Sequence, residues 1–170
     1  MIERLRNEDF DKIYNIMEMS FPSEEYRPYD KQKALLNKPE YSIYAMYSEY
    51  KDIKAFIALW DFSEFAFIEH LAVHPEYRNC GIGAYILNEL VERFSKTVCL
   101  EVELPETEIA SRRIGFYKRN NFCLNQYPYM QPSISEGMKP VPMFIMTSPT
   151  EVDKDFFEHI KGTLYTKVYI

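Results

Sequence analysis

The stretch Phe65 to Thr97, FAFIEHLAVHPEYRNCGIGAYILNELVERFSKT, constrains this chain more than any other. An apolar, β-branched and aromatic run from Phe65 to Val73 breaks at His74-Pro75. It resumes after Gly83 with Ile86, Leu87, Leu90, Val91 and Phe94 at helical spacing. The pattern predicts a strand, a loop and a helix. Gly81 and Gly83 lie in the loop Arg78 to Ala84, where the free amides of the helix's first turn face outward. Such a terminus binds anions, because no Cβ blocks the approach and the helix dipole adds partial positive charge. Arg78 adds a planar cation suited to bidentate contact with phosphate oxygens.

Spacing separates the kinds of glycine-rich loop. A Walker loop ends in Gly-Lys-Ser/Thr, which is missing here, and a dinucleotide fingerprint needs three glycines in GxGxxG order. The order in this chain is Arg-x-x-Gly-x-Gly behind IEHLAVHPEYR. In that form the segment resembles the acyl-CoA pyrophosphate loop of the GNAT superfamily of N-acyltransferases. The resemblance implies that Arg78, Asn79, Cys80, Gly81, Ile82, Gly83 and Ala84 hold the donor's phosphates. It also implies that a pantetheine arm adds to the backbone of Leu71, Ala72 and Val73, as an extra strand would.

A second motif supports the first. Ala110 to Phe122, ASRRIGFYKRNNF, resembles the family's later helix, which commonly ends Phe/Leu-Tyr-x-x-x-Gly-Phe. Asn121 stands where glycine is usual, and asparagine also accepts a left-handed helix cap. The resemblance makes Tyr117 the proton donor to the departing CoA thiolate. Ala110 stands where the family commonly has an asparagine that contacts CoA and Arg113 where alanine is usual, so Arg112 or Arg113 is expected to reach the CoA phosphates instead, with Phe116 beside the cofactor. Glu69 matches an acidic position that serves some members as base, and partial burial would raise its pKa toward neutrality. His70 is expected on the opposite face of the strand, and both His70 and His74 as structural residues.

The rest of the chain supplies the frame and the acceptor side. Ile2 to Arg6 reads as a short strand, and Glu8 to Ser20 as a helix with Phe10, Ile13, Ile16 and Met17 on one face. Two prolines interrupt FPSEEYRPYD before a second helix from about Asp30 to Leu36. FPSEEYR resembles a stretch that forms one wall of the family's acceptor site, so Glu24, Glu25, Tyr26 and Tyr29 are candidates to grip a substrate ammonium. Tyr41 to Tyr47 and Lys54 to Trp60 predict an antiparallel hairpin. Thr97 to Leu104 predicts a strand parallel to the central one, since a helix joins them. The resemblance implies that these two strands splay apart at their C-terminal ends, with a bulge as the cause, to form the donor's slot.

Beyond Phe122 the sequence predicts a strand to Tyr127 and an irregular loop from Pro128 to Pro140. An apolar strand from Pro142 to Thr147 follows, then a helix from Glu151 to Ile160 and an edge strand from Thr163 to Ile170. Tyr127, Tyr129, Met130 and Gln131 place a specificity-setting loop near the slot, with Tyr129 the substrate-binding candidate.

Composition narrows the partners. A net charge of −6 weighs against nucleic acid, and an acidic surface attracts amines. No apolar run approaches the roughly 20 residues that span a bilayer, and MIERLRNEDF lacks a signal peptide's pattern, so a cytoplasmic protein is expected. Cys80, Cys99 and Cys123 lack CxxC spacing and are expected as reduced thiols, without a zinc site.

The whole reads as one α/β domain over residues 1–170, a mixed, mostly antiparallel sheet flanked by helices with a splayed parallel pair. The activity implied is acetyl transfer from acetyl-CoA to a small-molecule or protein amine by direct attack, because no Cys is paired with a His by any visible motif. A homodimer is compatible with that reading. A non-catalytic acyl-CoA-binding module is the alternative, and nucleotide binding at the same loop a third.

Overall fold

The computed structural model describes all 170 residues, Met1–Ile170. Seven strands form one sheet in the order β1-β2-β3-β4-β5-β7-β6. They are β1 (Glu3–Arg4), β2 (Tyr41–Tyr47), β3 (Ile53–Asp61), β4 (Phe65–Val73), β5 (Thr97–Glu103), β6 (Cys123–Gln131) and β7 (Val141–Ser148). Every pairing is antiparallel except β4 with β5, which the helix α3 (Ile82–Val91) connects. Alternation along the strands divides the core. Phe65, Phe67, Ala72 and Cys99 pack under α1 (Phe10–Ser20) and α5 (Lys154–Thr163) on one face. Ala66, Ile68, Val98 and Leu100 pack under α3 and α4 (Glu108–Arg119) on the other.

The caps follow local chemistry. Thr107 accepts from the Ala110 amide at the start of α4 and Asp153 from the Phe156 amide at the start of α5. Asn121 closes α4 at φ +68°, the left-handed position expected of it. The second predicted helix is short, α2 (Tyr29–Ala34), and passes into a 3-10 turn at Leu35–Asn37.

Three expectations are corrected. The strand after α4 does not end at Tyr127 but runs to Gln131, across a register shift between Asn125 and Tyr129. Pro128 sits inside that irregularity, where its missing N–H breaks no ladder bond. The chain's end is not an edge strand: α5 continues as a π-helix over Leu164–Val168. The apolar stripe Phe157, Ile160, Leu164, Val168 keeps helical spacing, and all four side chains are buried, which overrides the β-branched character of Thr163 to Ile170. The third concerns β4. Ala58 pairs with His70 and Leu59 with Ile68, so Glu69 has no partner opposite and forms a β-bulge. A two-against-one count turns consecutive side chains to one side. Glu69 and His70 therefore share the α1 face rather than lying on opposite faces, and their side chains approach to 3.7 Å. No helix is long and apolar enough to cross a membrane.

Candidate active site

The bulge sits where the sheet opens. Parallel pairing of β4 with β5 runs from Phe65 with Thr97 to Ile68 with Leu100 and stops there. Beyond Ile68, β4 keeps β3 on one side but has no strand partner toward β5. Two connected cavities occupy the opening. A groove of about 670 Å³ runs on the α3 and α4 side, and a narrower slot of about 140 Å³ lies between Glu69–Leu71 and Leu100–Glu103. Phe21, Leu71, Arg113 and Tyr117 line both and mark the junction.

The groove gathers the residues expected around the donor: Leu71, Ala72, Val73, Arg78, Asn79, Gly81, Ile82, Gly83, Ala84, Arg112 and Phe116. Its floor is built by backbone. Asn79 and Gly81 both take left-handed φ, +63° and +76°, which turns the chain into α3 with Gly81 as its N-cap. No side chain caps that first turn, so its amides stay free for an anion. Gly83 keeps the wall low, since a Cβ there would stand 3.6 Å from Val73 and 3.7 Å from Phe116. Cys80 is the exception. Its side chain turns out to solvent, away from the groove, because Gly81 rather than Cys80 carries the inward turn. Arg78 braces the loop: Nε donates to the Val73 carbonyl at 3.0 Å and Nη2 to Ser20 Oγ at 3.2 Å.

Tyr117 stands at the junction, and burial pushes its hydroxyl up to about 12, with Arg113 pulling the other way. No protein group hydrogen-bonds that hydroxyl. It is a protonated group facing the place where the two cavities meet.

The slot holds four carboxylates in different circumstances. Glu69 is 2 % exposed and paired with Arg27, whose Nη2 and Nη1 donate to its two oxygens at 2.9 and 3.2 Å. Burial raises its pKa, but the charge of Arg27, the neighbouring His70 and these bonds outweigh burial and hold the group below the usual carboxylate range. The expected upward shift is thus reversed, because the sequence reading had no cation to set beside Glu69. His70 is buried, Nε2 lies 2.8 Å from the Glu25 carbonyl, and burial lowers its pKa against the opposing charge of Glu69. Glu25 lines the slot, raised by burial, with Arg113 opposing and Glu103 and Glu24 adding to the rise.

Glu101 is different. It projects from β5 on the α1 face, accepts from Gln131 Nε2 at 3.0 Å and from the hydroxyls of Tyr129 and Tyr169, and has no cation partner. Burial, with the charge of Glu69, raises it despite those three donors. An acidic residue inside the apolar run Val98 to Val102 was the available signal, and the sequence reading passed over it. Phe21, Arg113 and Tyr169 also line the slot, and Arg27 reaches it through Glu69, without a sequence signal for that placement.

The other acceptor candidates lie elsewhere. Glu24 is exposed, Tyr26 packs edge-on to Tyr14, and Tyr29 joins Phe10 and Tyr14 and reaches Asp11, all outside the slot. Tyr26 and Tyr29 pack against the core beside α1, and of these candidates only Glu25 lines the slot. Tyr129 is buried and serves the slot indirectly, through Glu101.

The chain is similar in structure to an acetyltransferase assigned to the GNAT family from Bacteroides thetaiotaomicron, at 32% identity and a TM-score of 0.89, covering 99% of this chain and 98% of that one. The ribosomal-protein-S18-alanine N-acetyltransferase from Escherichia coli shares the fold at 20% identity, with a TM-score of 0.66 and 91% and 97% of the two chains covered. So does a point mutant of the spermidine N-acetyltransferase from Vibrio cholerae, at 12% identity, a TM-score of 0.67 and coverage of 86% and 91%. No curated protein sequence matches the chain. Residues 8–122 match the model of the acetyltransferase (GNAT) family, which spans both motifs and the strands that form the slot. The chain belongs to that family and is an acyltransferase.

Proposed function

We propose that this protein moves an acetyl group from acetyl-CoA to a primary amine by direct attack, with the amine seated at Glu101. The observation that carries the reading is a carboxylate enclosed at the slot, with three hydrogen-bond donors and no cation of its own. A substrate ammonium supplies the missing charge, and the raised pKa suits Glu101 to take the proton that the ammonium must lose. Acetyl-CoA, the donor the family generally uses, fits the groove: phosphates at the uncapped amides of α3, pantetheine along Leu71 to Val73, thioester at the junction by Tyr117.

The amine nitrogen then attacks the thioester carbonyl. A C–N bond forms, the C–S bond breaks with its electron pair going to the CoA sulfur, and the proton that the attacking nitrogen must still shed passes to that sulfur, so CoA leaves as the thiol. Unpaired backbone amides beside the β4 bulge polarise the carbonyl oxygen. Tyr117 donates a hydrogen bond to the sulfur. At about 12 its pKa exceeds the roughly 8.5 of an ordinary thiol, so stabilising the developing charge contributes more than a completed proton transfer. Glu69 serves as the anchor of Arg27 and of the wall before α2, and not as the base.

Release of CoA thiol from acetyl-CoA, measured over primary amines from ethanolamine to peptide N-termini, tests this. At least one amine should turn over, and Glu101→Gln should slow it about 10²-fold or more while acetyl-CoA affinity by calorimetry stays within about twofold. Acetyl-CoA binding without turnover of any amine would contradict catalysis. No acetyl-CoA binding would overturn the donor.

A further inference from the structure

The C-terminal segment carries no motif, yet it reaches Glu101 and the cation paired with Glu69. Two adjacent residues do this. The Val168 carbonyl accepts from Arg27 Nη2 at 3.1 Å, bracing the cation that holds Glu69. The Tyr169 hydroxyl donates to Glu101 Oε1, the oxygen that also accepts from Gln131 Nε2. Gln131 Nε2 lies 3.3 Å from the Tyr169 oxygen as well, so that oxygen is engaged as an acceptor and its proton is committed to Glu101.

Local structure explains the reach. The Tyr169 amide donates to the Leu164 carbonyl at 3.1 Å, the five-residue closure of a π-turn, where an α-helix would bond it to residue 165. Leu164 and Val168 are buried and pin the turn, whereas Ile170 is 85% exposed. The turn thus ends with Tyr169 aimed into the slot, which it lines.

We infer that the C-terminal turn Leu164–Tyr169 is a wall of the acceptor site and that Tyr169 is a positioning residue for Glu101, an inference that rests on the proposed role of Glu101. A carboxylate offers about four lone-pair sites. Gln131 and Tyr169 fill Oε1 and Tyr129 takes one site on Oε2, leaving one site on Oε2 for an incoming N–H. Fixing Oε1 directs the free site, and the Tyr169 donor favours the ionised form that accepts a proton. The charged and titratable groups around Glu101 are Tyr129 from β6, Tyr169 from the turn, Cys99 from β5 and Glu69 from β4, whose charge adds to the rise although Arg27 is paired with it.

Infrared difference spectra of the full chain against pH test this through the carbonyl band of the protonated carboxyl, with Glu101→Gln identifying the band by its loss. Tyr169→Phe keeps the ring and removes the donor, and should move the band's midpoint about one unit to higher pH. Tyr165→Phe is the control, since Tyr165 donates to the Met130 carbonyl from the same turn without touching Glu101, and should leave the midpoint in place. With the best amine, Tyr169→Phe should lower kcat/KM roughly 10-fold and move its acid limb in the same direction, at unchanged acetyl-CoA affinity. An identical midpoint in wild type and Tyr169→Phe, with Glu101→Gln impaired, overturns the inference alone. Full turnover by Glu101→Gln overturns the base reading and the acceptor role of the turn with it.

Discussion

Removing Arg27 is the most informative single perturbation of the site's frame. Its side chain is 11% exposed, that of Glu69 2%, and three hydrogen bonds link it to Glu69 and to the Val168 carbonyl. Arg27→Ala leaves Glu69 buried beside His70 with no cation. Breaking one half of a buried pair costs roughly 3–5 kcal/mol. A second route to the magnitude agrees. The stranded carboxyl escapes by taking a proton, and protonating a group of ordinary pKa 4.5 at pH 7 costs about 3.4 kcal/mol. For a chain of this size that corresponds to a fall in Tm of roughly 10 °C. The sign of the pH dependence follows from the depressed pKa of Glu69: its contribution to stability is present above the unfolded carboxylate pKa and is lost as pH falls through the lower folded value. In the wild type that contribution is intact at both pH 7 and pH 5, whereas the carboxyl stranded in Arg27→Ala escapes by protonation, so the penalty should shrink from pH 7 to pH 5, where protonation costs only about 0.7 kcal/mol. Urea unfolding at the two pH values reads this directly, and Arg27→Met with Glu69→Met should recover much of the loss because no charge is then stranded. A loss below about 1 kcal/mol, or one independent of pH, would refute the reasoning, since it would place the pair in screened solvent.

Other perturbations separate the parts of the site. Tyr117→Phe should slow turnover about 10²-fold with little effect on acetyl-CoA affinity, measured by thiol release and calorimetry; equal rates would remove the hydroxyl from the chemistry. Gly81→Ala and Gly83→Ala should have opposite effects on stability. Gly81 needs φ +76°, so alanine there should lose about 1–2 kcal/mol although nothing crowds its Cβ. Gly83 is helical, and its Cβ would meet only ordinary contacts, so alanine should raise Tm slightly yet weaken acetyl-CoA binding by narrowing the groove. Melting curves and calorimetry on the two variants check both signs. Replacing the Tyr169 hydroxyl should raise the titration midpoint of Glu101 while the Tyr165 hydroxyl has no such effect.

What could be read in advance was local. The strand Phe65–Val73, the turn through Gly81 and the start of α3 follow from neighbouring residues, and so does the left-handed cap at Asn121. The fold class followed from the resemblance carried by the two motifs, and the parallel pair from the helix that joins its strands. What could not be read depends on contacts far apart in sequence. Glu69 was visible as an acidic residue on the right strand, but its partner lies 42 residues away and reverses its pKa shift. The bulge at Glu69 adds a residue without altering the apolar character of β4, so strict alternation placed His70 on the wrong face. Glu101 resembled the polar half of an alternating strand until three donors from β6 and the C-terminal turn converged on it. Tyr169 sits 68 residues from Glu101, in a stretch whose sequence suggested an edge strand. Cys80 belonged to the motif, and only the backbone turn shows that it faces away.

The central claim is that Glu101 receives the proton of the acceptor ammonium. It is tested most directly by the pH dependence of kcat/KM for the best amine in wild type and Glu101→Gln. The account predicts an acid limb in the wild type above the usual carboxylate range, as burial of Glu101 requires, and its disappearance in the variant with a rate about 10²-fold lower. The same limb persisting in Glu101→Gln at an undiminished rate would contradict it.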